Sequence, residues 1–171
     1  MRVRTRSVDE TRSLGSALAA LLQPGDLLLL VGDLGAGKTA LAQGIAAGLG
    51  VTEPVVSPSF TIVREYEARI PLVHVDVYRL GRLQELHDIG FDELLDGERV
   101  VLVEWGDAIA TALPGDRLVV RLEPGPTDDD RNVSLTPYGA SWRGRAKVIE
   151  AALASFDRDD AESTCGSGEE D

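Results

Sequence analysis

The segment Gly32-Asp33-Leu34-Gly35-Ala36-Gly37-Lys38-Thr39 constrains this chain more than any other. It fits the phosphate-binding loop pattern G-x-x-x-x-G-K-[ST]. Glycines let the backbone wrap closely around phosphate oxygens, at angles a side chain would forbid. The successive N–H groups then point inward as a nest for anions, and the helix that follows adds the positive end of its dipole. In such a loop Gly35, Ala36 and Gly37 cradle the phosphates with backbone groups. Lys38 reaches the β- and γ-phosphates, and the Thr39 hydroxyl holds Mg²⁺.

The flanking sequence supplies the context the loop requires. Leu27-Leu28-Leu29-Leu30-Val31 is an apolar run suited to a buried strand, and Ala40 to Leu49 reads as a helix ending near Gly50. Of 17 Lys+Arg residues only Lys38 and Lys147 are lysines. A chain that otherwise uses arginine keeps its compact ammonium where phosphate is to be met.

At 171 residues the chain suits one domain with a sizeable core. Residues 1–155 carry the patterned elements, and 156–171 read as an acidic tail expected to be disordered. The formal net charge is −12, and about half of it falls in the last fifteen residues. Unaided binding to a nucleic-acid backbone is therefore disfavoured. A single cysteine, Cys165, excludes an internal disulfide framework and a cysteine-based zinc site. No apolar run approaches the ~20 residues of a membrane span. The basic start, Met1 to Arg6, has no apolar stretch behind it and does not read as a signal peptide, so the expectation is a cytoplasmic protein.

Taken in order, Val3 to Val8 reads as a short strand, and Ser7 or Asp9 can cap a helix from about Glu10 to Leu22. Ser57-Pro58-Ser59 is a hydroxyl-rich loop ahead of a strand from Phe60 to Tyr66. It serves equally as a sensor of the γ-phosphate or as an ordinary connection to an edge strand. Ile70 to Tyr78 is a second apolar strand with Asp76 near its end, where open α/β sheets bind ligands. Asp76 can hold Mg²⁺ directly or through water, orient an attacking water, or simply cap a helix or pair with Arg79. His74 shares its face and reads as a packed residue. Leu83 to Leu95 is helical in pattern but interrupted at Gly90. Val100 to Val103 leads straight into Glu104, the form of a strand that presents a carboxylate to Mg²⁺ or water. Trp105 follows, either covering a nucleotide or packing half-buried. Asp107 to Leu113 reads as a short helix. Asp116 to Glu123 and Arg131 to Thr136 read as strands joined by a loop whose three aspartates, Asp128 to Asp130, look like a solvated turn. Trp142 to Phe156 closes the chain as a helix.

Four motifs in this order, Gly32 to Thr39, Ser57-Pro58-Ser59-Phe60-Thr61, His74-Val75-Asp76-Val77-Tyr78-Arg79-Leu80 and Val103-Glu104-Trp105, resemble the TsaE/YjeE family of small bacterial P-loop ATPases. That family is required for threonylcarbamoylation of adenosine 37 in tRNA. The resemblance covers about residues 5 to 150 and omits the acidic tail. It implies an α/β fold of the P-loop NTPase type, three layers in αβα order, with a mostly parallel central sheet and antiparallel strands added near the C-terminus. It implies ATP and Mg²⁺ as cofactors, with Thr39 and Glu104 at the metal. Asp76, Glu104 and Lys38 serve hydrolysis, and Trp105 lies near the nucleotide. Thr11 and Arg131 match positions on the adenine side. The segment from Ser57 to Thr61 acts as a switch. Ser59 departs from the family's usual Thr but keeps a hydroxyl. TsaB and TsaD subunits are the implied partners, and tRNA is met only indirectly through them.

Catalysis then rests on positioning, with an in-line water held by Asp76 or Glu104. No arginine finger is identifiable, so hydrolysis by the isolated chain is expected to be slow. Two rival readings share the loop: a small-molecule kinase of the P-loop class, and a non-catalytic subunit that uses nucleotide only for assembly. A GTPase is disfavoured, since no Asn-Lys-x-Asp element occurs.

Overall fold

Strand β2 (Leu27–Val31) is buried along its whole length, as a run of four leucines and a valine requires when both faces are covered. It forms the middle of a seven-stranded sheet in the computed structural model, which describes residues 1–58, 62–78 and 90–156. The other strands are β1 (Arg2–Thr5), β3 (Val63–Tyr66), β4 (Leu72–Asp76), β5 (Val100–Glu104), β6 (Arg117–Pro124) and β7 (Arg131–Tyr138). Their order is β1-β7-β6-β2-β5-β4-β3. β6, β2, β5 and β4 run parallel, while β7 pairs antiparallel with β6, β1 with β7, and β3 with β4. Antiparallel pairing thus occurs on both sides of the parallel core, and not only in the C-terminal part of the chain.

The pleat divides the core in two. Leu28, Leu30 and Leu102 face helices α1 (Val8–Ala19), α2 (Lys38–Leu49) and α4 (Gly139–Leu153), where they meet Leu14, Ile45 and Trp142. Leu27, Leu29, Val75 and Val103 face the other way, onto Phe91 and Leu94 of the short helix α3 (Phe91–Leu94) and onto Ile109 of a 3₁₀ turn (Gly106–Ile109). Each fully buried leucine contributes about 1.5–3 kcal/mol of transfer free energy. α1 and α2 approach so closely that a Cβ on Gly44 would stand 2.0 Å from the carbonyl oxygen of Arg12, and one on Gly15 would stand 2.4 Å from that of Leu41.

Several element bounds differ from the sequence pattern for local reasons. β1 ends at Thr5 because Ser7 caps α1, its hydroxyl accepting from Glu10 N at 3.0 Å, so Val8 opens the helix instead of closing the strand. The short helix expected over Asp107 to Leu113 is a 3₁₀ turn starting at Gly106. α4 starts at Gly139, earlier than Trp142, and a second 3₁₀ turn, Ala154–Phe156, ends the described chain. Of the stretch read as helix over Leu83 to Leu95 only residues 90–95 are described, and there Phe91–Leu94 is helical with Gly90 at φ 68° as its N-cap. Ser59 to Thr61, Arg79, Leu80 and the acidic tail lie outside the described residues. Among the described residues no helix is long and apolar enough to cross a membrane.

Candidate active site

β2 delivers the chain to Gly32 at the carboxyl end of the parallel strands. Gly32 has φ 151°, and a Cβ there would lie 2.4 Å from the carbonyl oxygen of Leu122 and 3.0 Å from the Ala36 methyl. Only glycine passes between β6 and the loop. Gly37, at φ 101°, then turns the chain into α2, which begins at Lys38 with no side chain capping it. The first N–H groups of a helix have no intrahelical partner, so α2 offers donors and its dipole at this point.

Four elements converge here. β4 ends at Asp76 and β5 at Glu104, and the parallel register pairs these two residues directly. Both are buried, as is Lys38. Thr39 Oγ1 donates to Glu104 Oε1 at 3.2 Å, and the same oxygen lies 2.8 Å from His74 Nε2. Asp76 Oδ2 accepts from Ser57 Oγ at 2.9 Å, and Oδ1 accepts from Tyr78 N at 2.9 Å. Gln43 on α2 donates to the carbonyl of Val55 at 2.9 Å, which ties the strand-approaching loop of Ser57 to the helix. Lys38 Nζ donates to the carbonyls of Gly32 and Asp33 at 2.7 and 2.9 Å and stands 3.8 Å from the centre of the Trp105 ring. Trp105 holds a left-handed backbone, φ 61°, and its ring meets Tyr78 at 4.8 Å between centroids. A non-glycine residue held there costs about 1–3 kcal/mol, a strain found where a side chain must be aimed.

These groups enclose a cavity of about 370 Å³ lined by Lys38, Thr39, Ser57, Asp76, Glu104 and Trp105, with Gly35, Gly37 and Tyr78 at its edge. A larger depression, about 650 Å³, lies on the β1–β7–β6 surface and contains none of them. The smaller one is the candidate, because the buried polar side chains converge on it.

Thr11 and Arg131 stand behind the loop, not in this cavity. Thr11 is buried, its hydroxyl 2.8 Å from that of Thr5, and its methyl would lie 3.9 Å from a Cβ on Gly37. Arg131 grips the loop's own carbonyls, with Nε on Ala36 O at 3.0 Å and Nη2 on Gly35 O at 3.3 Å. It lines a neighbouring cavity of about 270 Å³ with Asp33 to Ala36 and Pro124 to Asp128. Asp130 is not part of a solvated turn: it is buried and paired with Arg4. The sequence reading also missed the role of His74 as a partner of Glu104. Its signal was the two-residue spacing to Asp76, which puts both on one face of β4.

The parallel core, the strand order and the glycine loop after β2 define an α/β protein of the P-loop NTPase type. Residues 5–133 match the family model described as "Threonylcarbamoyl adenosine biosynthesis protein TsaE". The chain belongs to the TsaE family. The Streptomyces coelicolor protein named "tRNA threonylcarbamoyladenosine biosynthesis protein TsaE" is 46% identical over 138 residues, covering 77% of this chain and 93% of that one. Its Bacillus subtilis namesake is 44% identical over 137 residues, covering 80% and 85%. The crystal structure of Bacillus subtilis YdiB superposes with a TM-score of 0.77 at 38% identity, covering 88% of this chain and 94% of that one.

Proposed function

We propose that this chain is an ATP-binding, Mg²⁺-dependent ATPase of tRNA threonylcarbamoyladenosine formation. It acts with TsaB and TsaD subunits and reaches tRNA only through them. One observation carries the nucleotide reading: Lys38, Thr39 and Glu104 converge on one cavity at the mouth of the glycine loop. The family names of the relatives carry the tRNA reading.

The residues fit the implied groups. The uncapped start of α2 and the glycines of the loop suit phosphate oxygens. A hydroxyl and a carboxylate 3.2 Å apart suit Mg²⁺, an ion that takes one or two protein oxygens and fills the rest of its octahedron with water and phosphate. Thr39 and Glu104 would hold it. Bound there, Mg²⁺ would neutralise charge on the β- and γ-phosphates. Lys38, which stands on the Gly32 and Asp33 carbonyls at the mouth of the loop, would supply its ammonium to the phosphates. Asp76, fixed by Ser57 and the Tyr78 amide, is an acceptor for a water proton and orients that water for in-line attack. Trp105 and the exposed Tyr78 stack at the edge of this cavity.

The test is nucleotide affinity and turnover of the full chain, alone and with TsaB and TsaD. Lys38→Ala is expected to lose at least about a hundredfold in turnover and to lose ATP binding with it, the scale seen when a preorganised donor to transition-state charge is removed. Normal hydrolysis by Lys38→Ala in the reconstituted system would overturn the proposal. Phosphate transfer to a nucleoside or metabolite hydroxyl would replace it with the kinase reading. Full tRNA modification with a non-hydrolysable analogue would replace it with the assembly reading.

A further inference from the structure

His74 has no step in the reaction just described, yet it is wholly buried, at 0% exposure. Its Cα partners are Leu102 on β5 and Arg64 on β3, so its contact with Glu104 is diagonal across the sheet, two residues further along β5. Nε2 lies 2.8 Å from Glu104 Oε1. Nδ1 is buried with no hydrogen-bond partner among the described residues.

The orphan nitrogen decides where the proton sits. A proton on Nδ1 alone would leave a buried donor unpaired and set the bare Nε2 lone pair against a carboxylate oxygen. A proton on Nε2 alone makes the bond to Glu104 and leaves only an unpaired acceptor, the less costly of the two orphans. We propose that His74 is a positioning residue: its Nε2–H pins Oε1 of Glu104 and so keeps that carboxylate aimed at Thr39 and the cavity. Without the tether, Glu104 is free to turn away from Thr39. Partners of this kind, one hydrogen bond behind a metal-holding group, typically affect metal affinity by about 10–100-fold. The inference rests on the Mg²⁺–nucleotide reading of Thr39 and Glu104.

Two measurements on the full chain test it. The first needs no nucleotide. The chain has two histidines, His74 and His87. ¹⁵N spectra of the imidazoles, assigned by the signals lost in His74→Gln, are expected to show His74 protonated at Nε2. The opposite tautomer would overturn the proposal. The second is the Mg²⁺ concentration needed for binding a non-hydrolysable ATP analogue. His74→Leu, which keeps the volume but has no donor, is expected to raise it about tenfold or more. His74→Gln, whose amide N–H can reach the same oxygen, is expected to bring it back to within about threefold of the native chain. Equal Mg²⁺ requirements for Leu, Gln and His would overturn the tether. If the native chain itself shows no Mg²⁺-dependent nucleotide binding, the parent reading fails while the tautomer still reports on the tether.

Discussion

Asp26, ahead of β2, and Glu104, at the far end of β5, are equally hidden carboxylates, at 5% and 2% exposure. Their surroundings are opposite. Asp26 takes a two-pronged bond from Arg145, at 2.6 and 2.9 Å, and a third from Gln23 N at 2.8 Å. Arg145 is itself packed 4.2 Å over the Trp142 ring. Glu104 has a histidine and a threonine hydroxyl, neither a fixed positive charge, and it borders a cavity. A buried charge gripped by a fixed opposite charge and a backbone N–H is a bolt between elements, here between the entry to β2 and α4. A buried charge with no fixed opposite charge, beside open space, retains its capacity for a ligand.

The largest effect expected from this contrast is on stability. Asp26→Ala leaves the Arg145 guanidinium mostly buried and unpaired, a change that costs about 3–5 kcal/mol. Urea unfolding would measure it, and the nucleotide affinity of the folded fraction should not move. A loss under about 1 kcal/mol would erase the distinction, because Asp26 would then behave as an ordinary surface charge. Glu104→Gln should do the reverse. The amide keeps the volume and an oxygen for His74, and it removes a charge set directly opposite Asp76 in the sheet register. Stability should hold or rise by up to about 1 kcal/mol while turnover falls about a hundredfold. Equal losses in both would mean that Glu104 is a structural group.

The two carboxylates were not equally legible in the sequence. Glu104 stood out because four apolar residues lead directly into it, a pattern fixed by strand burial alone. The loop from Gly32 to Thr39 was legible for the same reason: its flanking strand and helix are periodic and its glycines are demanded by backbone angles. Asp26 gave no such signal. Its partner Arg145 is 119 positions away, and nothing in a turn sequence announces a contact set by the docking of a distant helix. His74 was half legible. Period two gave its face, but its diagonal partner depends on β4 lying beside β5, and strand order is a property of the whole sheet. Arg131 shows the same limit. The family resemblance implies a place on the adenine side, but no sequence signal announced its grip on the carbonyls of Gly35 and Ala36.

A third pair sharpens the contrast from between its two extremes. Asp130 is buried like Asp26, but its partner Arg4 is 31% exposed, and the pair joins β1 to the turn before β7. The hydrogen bond from Arg4 holds the Asp130 carboxyl below its ordinary value against the opposing pull of burial, with further help from Thr127. A carboxyl lowered in the folded state adds stability above its unfolded value, about 3.9, and loses it as pH falls through the lower folded value. The native chain should therefore shed this contribution only below about pH 4, and Arg4→Gln should shed less over the same range because it has less to lose. Unfolding midpoints of the two chains, compared from neutral pH downward, would converge in acid. Midpoints that stayed parallel throughout would show that Arg4 does not set the Asp130 carboxyl.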